Sequence, residues 1–568
     1  MKKFFTLVLL LPLALKAQKF EEVSTHLSNF YYSSCDTGDI DGDGFLDLVH
    51  NGAVDSDNNG SVDTTKNFVY KNNNGNFSQF YDFGQNATHL GGIKFIDFDN
   101  DGLLDIVSTG LSYMDVVNYQ QYLYRNTGNG FEFVENIPGK VYSSIEVFDF
   151  NHDGKQDYAI NGVQYLDKEG FVYNLDLFTN KGNGFDQIFG WLPGTQNGSF
   201  KIMDLNNDKL LDAVVFGFDE ETEATFTIYI NNQGTLEASQ TLSGVANGKV
   251  AYADFNADGF LDLVVTGVDA NYDLYLAVLW NDGNGNFTIT VIENEGLGQS
   301  SIQTGDLNND GYYDFVLIGD DKFFDGSVKI FTYDPSTNSF TKAKDTGLYN
   351  LGGTGHITLF DYDNDNQLDI LMSGFAWEEE NYPALTKLYK NISTEKNLPP
   401  SPPTDLQLSK TDNKYSFSWS GATDDKTPTK ALKYELKVGT SSGAGDIAKY
   451  VVTTPYWFLE LDEAYENLYW SVKTIDASNA YSESSKEENL GLISNQKEVI
   501  KVYPNPASDK IHIHAENIEA VALYDLKGAE INVKIKNGII NIAHLEKGIY
   551  ILKIYSDGKF YTEKIIKE

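Results

Sequence analysis

The stretch DIDGDGFLDLV, residues 39–49, sets Asp39, Asp41, Asp43 and Asp47 within nine positions. Carboxylates this close repel one another, and a bound cation would remove that cost. Oxygen side chains at alternate positions wrap around one centre when the loop turns sharply. Gly44, at the sixth position, permits the turn, and a backbone carbonyl at the seventh can add a ligand. A donor set of hard oxygens without His or Cys favours Ca²⁺; Mg²⁺ demands tighter octahedral geometry. The competing explanation is an acidic turn, since Asp and Gly are common turn residues without any ion.

Repetition separates the two explanations. The pattern returns as Asp97, Asp99, Asp101 and Asp105; as Asp149, Asn151, Asp153 and Asp157; and as Asp204, Asn206, Asp208 and Asp212. Three more copies hold Asp254, Asn256, Asp258 and Asp262; Asp306, Asn308, Asp310 and Asp314; and Asp361, Asp363, Asp365 and Asp369. The seven copies start 58, 52, 55, 50, 52 and 55 residues apart. Turn chemistry explains Asp and Gly, but not oxygen ligands held at positions 1, 3, 5 and 9 in every copy. The set reads as up to seven Ca²⁺ sites. The loops are not EF-hands, because the last acid falls at position 9 and strands flank them. Lys209 and Asn366 replace the turn glycine in two copies. Lys accepts a left-handed backbone less readily than Asn, so the loop from Asp204 is expected to bind most weakly.

The elements around each loop repeat as well. An apolar stretch such as GKVAYADF precedes it, and a β-rich stretch such as LDLVVTG follows. A third takes the form YLYRN, IYINN or AVLWN, then a Gly/Asn turn leads to a fourth opening on Phe. Asn-Gly turns between β-rich runs are hairpin signals. Each unit is thus a four-stranded meander of propeller-blade size. The seventh unit ends at TKLYKNIS without a fourth strand, whereas KFEEVST (19–25) stands alone before the first. Residues 19–25 are expected to complete the last blade and close the ring, leaving no open edge. The predicted fold class is all-β: a seven-bladed β-propeller over 18–397, followed by two small β-sandwich domains. An open β-solenoid is the alternative for the repeats.

At this point the loops resemble the FG-GAP/VCBS repeats of integrin α-subunit propellers and many secreted bacterial proteins. The resemblance spans roughly 30–395. It implies calcium in a hairpin loop between the first and second strands of each blade, on one face of the disc. It fixes no ligand, because such repeats occur in adhesins, lectin-like proteins and some polysaccharide lyases.

Beyond a proline-rich linker, NLPPSPPTD, residues 398–492 carry short strands at sandwich spacing. Trp419, Tyr434 and NLYWSVKTIDASNAYSE there resemble a fibronectin type III domain, with Trp419 read as core. Residues 498–568 open on VYPNP, pass through YDLKG and GIYILKI, and end on a basic strand. They resemble the type A C-terminal sorting domain of the type IX secretion system. The resemblance makes Tyr503, Pro504, Asn505, Gly528, Gly548, Tyr550 and Lys564 marks of the signal, and implies passage to the cell surface or medium. Residues 1–17 read as an export signal: Lys2 and Lys3, an apolar run, then Ala17. Its removal takes the formal charge from −40 to −43.

Such an acidic surface excludes nucleic acid and anionic lipid as partners. No stretch after the signal is long and apolar enough to span a membrane as a helix. Cys35 is the only cysteine, so no internal disulfide exists. H-E-x-x-H, G-x-S-x-G and P-loop motifs are absent. His26, His50, His89, His152 and His356 are not paired at ligand spacing, and no catalytic residue or organic cofactor is assigned. The leading expectation is a monomeric, exported, calcium-binding propeller that takes an extracellular glycan or protein ligand. FAWEEENY (375–382) and IFGWLPG (188–194) are the aromatic stretches suited to stacking on sugars. A polysaccharide-degrading lyase or hydrolase on the same scaffold, and a purely structural surface component, stay open beside it.

Overall fold

A computed structural model describes residues 19–568, except 57–61, 114–116, 167–169, 183, 378, 380–381, 491–500, 515–517, 526–529, 537 and 557–558. The signal-like residues 1–17 and Gly528 therefore lie outside the described residues. The chain divides into two compact units, one up to Glu488 and one from Asn489.

Up to Asn391 the first unit forms seven four-stranded antiparallel sheets. In the first, Tyr31–Gly38, Asp47–Val54, Thr64–Asn73 and Asn76–Asp82 pair in sequence order. The next five repeat this meander, ending at Ser339–Lys342. The seventh takes Gly352–Phe360, Asp369–Phe375 and Ala384–Asn391 from its own repeat. Its outer strand is Phe20–Val23, which pairs Phe20 with Asn391 and Val23 with Leu388. Lys387 reinforces the junction through Glu22 at 2.8 Å.

Three second strands, Asp212–Phe218, Asp314–Asp320 and Asp369–Phe375, are buried along their whole length, and the others are buried except toward their C-terminal ends. Sheets stacked on both sides demand this, because neither strand face meets water. The cores accordingly lie between successive blades. Phe216 and Val214 of the fourth blade meet Leu263 and Val265 of the fifth in one cluster. Near the start of each blade one residue takes a left-handed φ: Tyr32, Leu90, Tyr142, Asn197, Asn247, Gln299 and, in the seventh, Gly353, between 46° and 62°. A register shift accompanies this in the innermost strand of every blade except the second.

After the linker, Gln407–Thr411, Lys414–Ser418 and Tyr456–Glu460 form one sheet. Ala448–Val452, Lys433–Gly439 and Tyr469–Ile475 run in that order in another. Trp419 is buried, with its ring 5.3 Å from Tyr434 and 6.4 Å from Trp470. The second unit holds two further four-stranded sheets around Ile511, Leu523, Ile540, Leu552 and Ile554. Within it Asn505 donates to Lys564 O at 2.5 Å and accepts from Ile566 N at 2.8 Å. The YPNP segment is thereby tied to the terminal basic strand.

Deleting residues 19–25 should leave Ala384–Asn391 as a bare edge and withdraw Phe20, which is only 4% exposed. Phe burial alone is worth about 1.5–3 kcal/mol. The expected outcome is a lower melting temperature together with self-association on gel filtration; a monomer melting as the full chain does would contradict this.

Candidate functional site

Each acidic loop joins the first and second strands of its blade, and the same hydrogen bonds shape all seven. The position-1 carboxylate accepts the N–H of positions 5 and 6, as Asp39 does from Asp43 and Gly44 at 3.2 and 3.0 Å. The position-5 carboxylate accepts the N–H of position 7, as Asp43 does from Phe45 at 2.9 Å. Position 6 is left-handed in every loop, including Lys209 at φ 79° and Asn366 at 63°. Position 4 is left-handed too, at Gly42, Asn100, His152, Asn207, Ala257, Asn309 and Asn364. Gly44 alone would not have revealed this second turn. The Asn at position 4 of four loops was its only sequence signal.

The position-9 aspartates also bridge strands. Asp47, Asp105, Asp157, Asp212, Asp262, Asp314 and Asp369 are at most 1% exposed. One oxygen of each accepts the N–H of position 2, at 2.8–3.3 Å. The other accepts a third-strand N–H at 2.7–3.0 Å. In six blades that N–H belongs to Asn72, Asn126, Asn180, Asn231, Asn281 or Asn391; the sixth blade has Tyr333. The buried asparagine amides staple in turn. Asn281 Nδ2 donates to Leu261 O of its own loop and to Leu205 O of the preceding blade, at 3.0 and 2.7 Å. Its Oδ1 accepts from Gly283 N at 2.9 Å. These asparagines stand at or one residue before the end of the YLYRN, IYINN and AVLWN stretches, and their role was missed in the sequence.

In the first, second and seventh loops positions 1, 3 and 5 are all carboxylates, and they gather into clusters. One oxygen from each of Asp39, Asp41 and Asp43 lies within 4.8 Å of the others, and likewise for Asp97, Asp99 and Asp101 and for Asp361, Asp363 and Asp365. The position-9 carboxylates stand outside these clusters. Asp99 Oδ1 and Asp363 Oδ1 are buried acceptors without a hydrogen bond. Such orphans, in a hard all-oxygen set, fit a divalent cation. In these same blades a basic side chain one residue before the stapling asparagine reaches the cluster. Lys71 meets Asp41 at 2.9 Å, Arg125 meets Asp99 at 2.8 Å, and Lys390 meets Asp363 as well as Asp365, the latter at 3.1 Å. Where position 3 is Asn, the equivalent residue is uncharged: Thr179, Ile230, Trp280 and Thr332. There Asn151, Asn206, Asn256 and Asn308 donate to the position-5 carboxylate at 2.9–3.1 Å. The fourth carboxylate of three loops is thus offset by a base, while the third and fourth loops carry a lysine of their own, Lys155 and Lys209.

Residues 398–488 pack on this loop face. Asn100 donates to Ile447 O, Tyr450 to the Asp149 carboxylate, Tyr456 to Asn207 O, Lys430 to Asp258 O and Lys426 to Asn309 O. Asp306 N donates to Ala477 O at 2.8 Å. The His152 ring sits 4.8 Å from Trp457 and 4.2 Å from Phe458, and burial lowers its pKa to about 4. Loops of blades two to six therefore carry the linked module.

The opposite face is built from the hairpins between second and third strands. Among its residues Tyr272, Phe323, Phe324 and Tyr382 are more than half exposed. The left-handed residues of the innermost strands ring the mouth of a central cavity of about 630 Å³ there. Trp377 of FAWEEENY lies at this end, donating to Asp320 at 3.0 Å. Trp191 of IFGWLPG instead packs edge-on against Phe150, 4.9 Å away. Cys35 is buried and its thiol pKa is pushed up by that burial.

Two expectations follow from the loops. Asn281→Ala deprives two buried carbonyls and one half-buried N–H of its amide, and should cost about 2–4 kcal/mol in urea unfolding; a loss below about 0.5 kcal/mol would refute the staple. Burial lifts the position-9 carboxylates from 3.8 to about 6 at Asp47, about 7 at Asp157 and Asp212, and about 8 at Asp105, Asp262 and Asp369. With folded values raised, the metal-free fold binds protons that the unfolded chain has shed. Its stability is full below pH 3.8 as far as these groups contribute, and is lost as pH rises through 6–8. Chelated protein should melt at a lower temperature at pH 8 than at pH 5; the reverse order would contradict the burial argument.

Family profiles and solved structures bear on the same regions. The FG-GAP-like repeat matches residues 204–265, 254–317 and 306–372. The secretion system C-terminal sorting domain matches 501–568. No curated protein matches. Among solved structures, the BP39L lectin from Burkholderia pseudomallei is 9% identical with a TM-score of 0.41, over 62% of this chain and 94% of its own. The GH93 α-L-arabinofuranosidase of Fusarium graminearum is 11% identical with a TM-score of 0.35, over 66% and 98%. AofleA from Arthrobotrys oligospora is 14% identical with a TM-score of 0.34, over 58% and 91%. No helix among the described residues is long and apolar enough to cross a membrane. The chain is an all-β protein of FG-GAP-like repeats whose C-terminal sorting domain directs it through type IX secretion to the cell surface or the extracellular space.

Proposed function

We propose that this exported protein is a calcium-clipped propeller that binds an extracellular glycan or protein on the face away from its acidic loops. One observation carries the reading: the linked module packs on the loop face, while the other face keeps exposed aromatics and an open cavity. Exposed Tyr and Phe beside hydrogen-bonding groups suit a sugar or a protein surface.

In the loops, positions 1, 3 and 5 would hold the ion. Its charge would relieve the repulsion that the buried position-9 carboxylates add to, and it would tie the first strand to the second. The orphaned oxygens of Asp99 and Asp363 support this, as does the donor chemistry. Lys209 adopts its left-handed φ of 79° without a glycine's freedom, which supports weaker binding in the fourth loop.

A ligand that binds only the folded state raises its stability by mass action. Chelator should lower the melting temperature and added Ca²⁺ should restore it; an unchanged curve after verified metal removal would contradict the calcium reading. Among position-5 substitutions to Ala, Asp208→Ala should perturb calcium titration least. A glycan array with the calcium-loaded chain tests the ligand surface. Binding that falls at least about tenfold in Phe323→Ser/Phe324→Ser or Tyr382→Ser supports it, whereas bond cleavage in a bound glycan would make the protein an enzyme instead.

A further inference from the structure

The central cavity is organised in tiers, because alternate residues of the seven innermost strands face it. The tier nearest the loops holds Asp36, Lys94, Glu146 and Lys201. Its charges are spent on one another: Lys94 meets Asp36 at 2.8 Å and Lys201 meets Glu146 at 2.6 Å. Two residues further up each strand stand Ser34, Ser144, Ser199, Ser301, Lys249 and His356. Lys249 donates to Gly198 O at 3.1 Å, and among the described residues it has no ion pair. Burial lowers the pKa of its ammonium to about 8. Burial likewise drives His356 down to about 3, so its imidazole is neutral. Ser144 Oγ is buried and has no hydrogen bond. Tyr32 and Tyr142 stand at the mouth, with Asn197, Asn247 and Gln299.

The linked module lies across the lower end. A second cavity, sharing Lys201 and Gln303 with the first, is bounded below by Lys430, Ala431, Leu432 and Lys433. Tyr313 donates to Ala431 O at 3.2 Å and fixes that segment in place.

We propose that this channel is a binding well for an acidic sugar, its carboxylate on Lys249 and its hydroxyls on the serine tier. One unpaired cation matches one carboxylate. A neutral sugar would leave the ammonium buried without a counter-ion. A zwitterion would find no free carboxylate for its own ammonium, because Asp36 and Glu146 are engaged. Serine hydroxyls both donate and accept, which suits sugar hydroxyls. Tyr32 and Tyr142 offer ring faces to the next sugar at the mouth. The volume suits a ligand of two or three rings.

This rests on the reading of a ligand-binding propeller, and calorimetry on the full, calcium-loaded chain tests it separately. The probes are a short oligouronide, its neutral counterpart, acetate and inorganic phosphate. A charge-assisted contact implies that the oligouronide binds at least about tenfold tighter than the neutral oligosaccharide. Lys249→Gln should abolish that preference, and Lys249→Arg should keep most of it. Ser144→Ala removes an orphaned hydroxyl, so it should fold normally yet weaken oligouronide binding several-fold. Equal affinity for acidic and neutral sugars would overturn the proposal while leaving a glycan-binding propeller intact. Acetate or phosphate binding as tightly as the oligouronide, no oligouronide binding at millimolar concentration, or full affinity in both Lys249→Gln and Ser144→Ala would also overturn it.

Discussion

The propeller depends on a buried carboxylate that joins two strands of one blade. In each repeat the position-9 aspartate accepts one N–H from its own loop and one from the third strand, out of contact with water. A buried charge is tolerated only when it is fully hydrogen-bonded or balanced. Five of the six stapling asparagines also donate to a carbonyl of the preceding blade. Loop shape, strand register and blade stacking are thereby set by one repeated constellation. The acids at positions 1 and 5 shape the loop above this frame by accepting its own N–H groups.

This division of labour explains what could be read in the sequence. The repeat period, the meander and the loop ligands were legible because each is a local pattern recurring seven times. The stapling asparagine is also invariant in six repeats, yet Asn beside a Gly/Asn turn reads as turn chemistry until the fold brings another blade's carbonyl to it. The base that offsets position 3 was harder still to see. Lys71, Arg125 and Lys390 lie about thirty residues from their aspartates and look like ordinary surface cations. The docking of residues 398–488 was invisible, since His152 gives no hint in sequence that Trp457 and Phe458 will cover it.

That docking makes the two faces unlike. Loops usually carry recognition, because they are surface segments on a rigid scaffold. Here the loop face is largely taken by a neighbour in the same chain, and the hairpins and the cavity mouth are left exposed. The inward-facing residues show the same economy. Hydrophobic side chains of the innermost strands, such as Ile145, Phe200 and Ile302, fill the spaces between blades, and the alternate positions are left polar.

The pairing of Phe20–Val23 with Ala384–Asn391 has a kinetic side. Six blades can form in order as the chain becomes available, each from contiguous residues. The seventh cannot, because its outer strand lies more than 360 residues from its partner. Contacts so distant in sequence are slow to form. Until they do, the ring has an unpaired edge at one end and a loose strand at the other. Completion of the fold is therefore a single late event, which makes the ring all-or-none where an open array of repeats would fray.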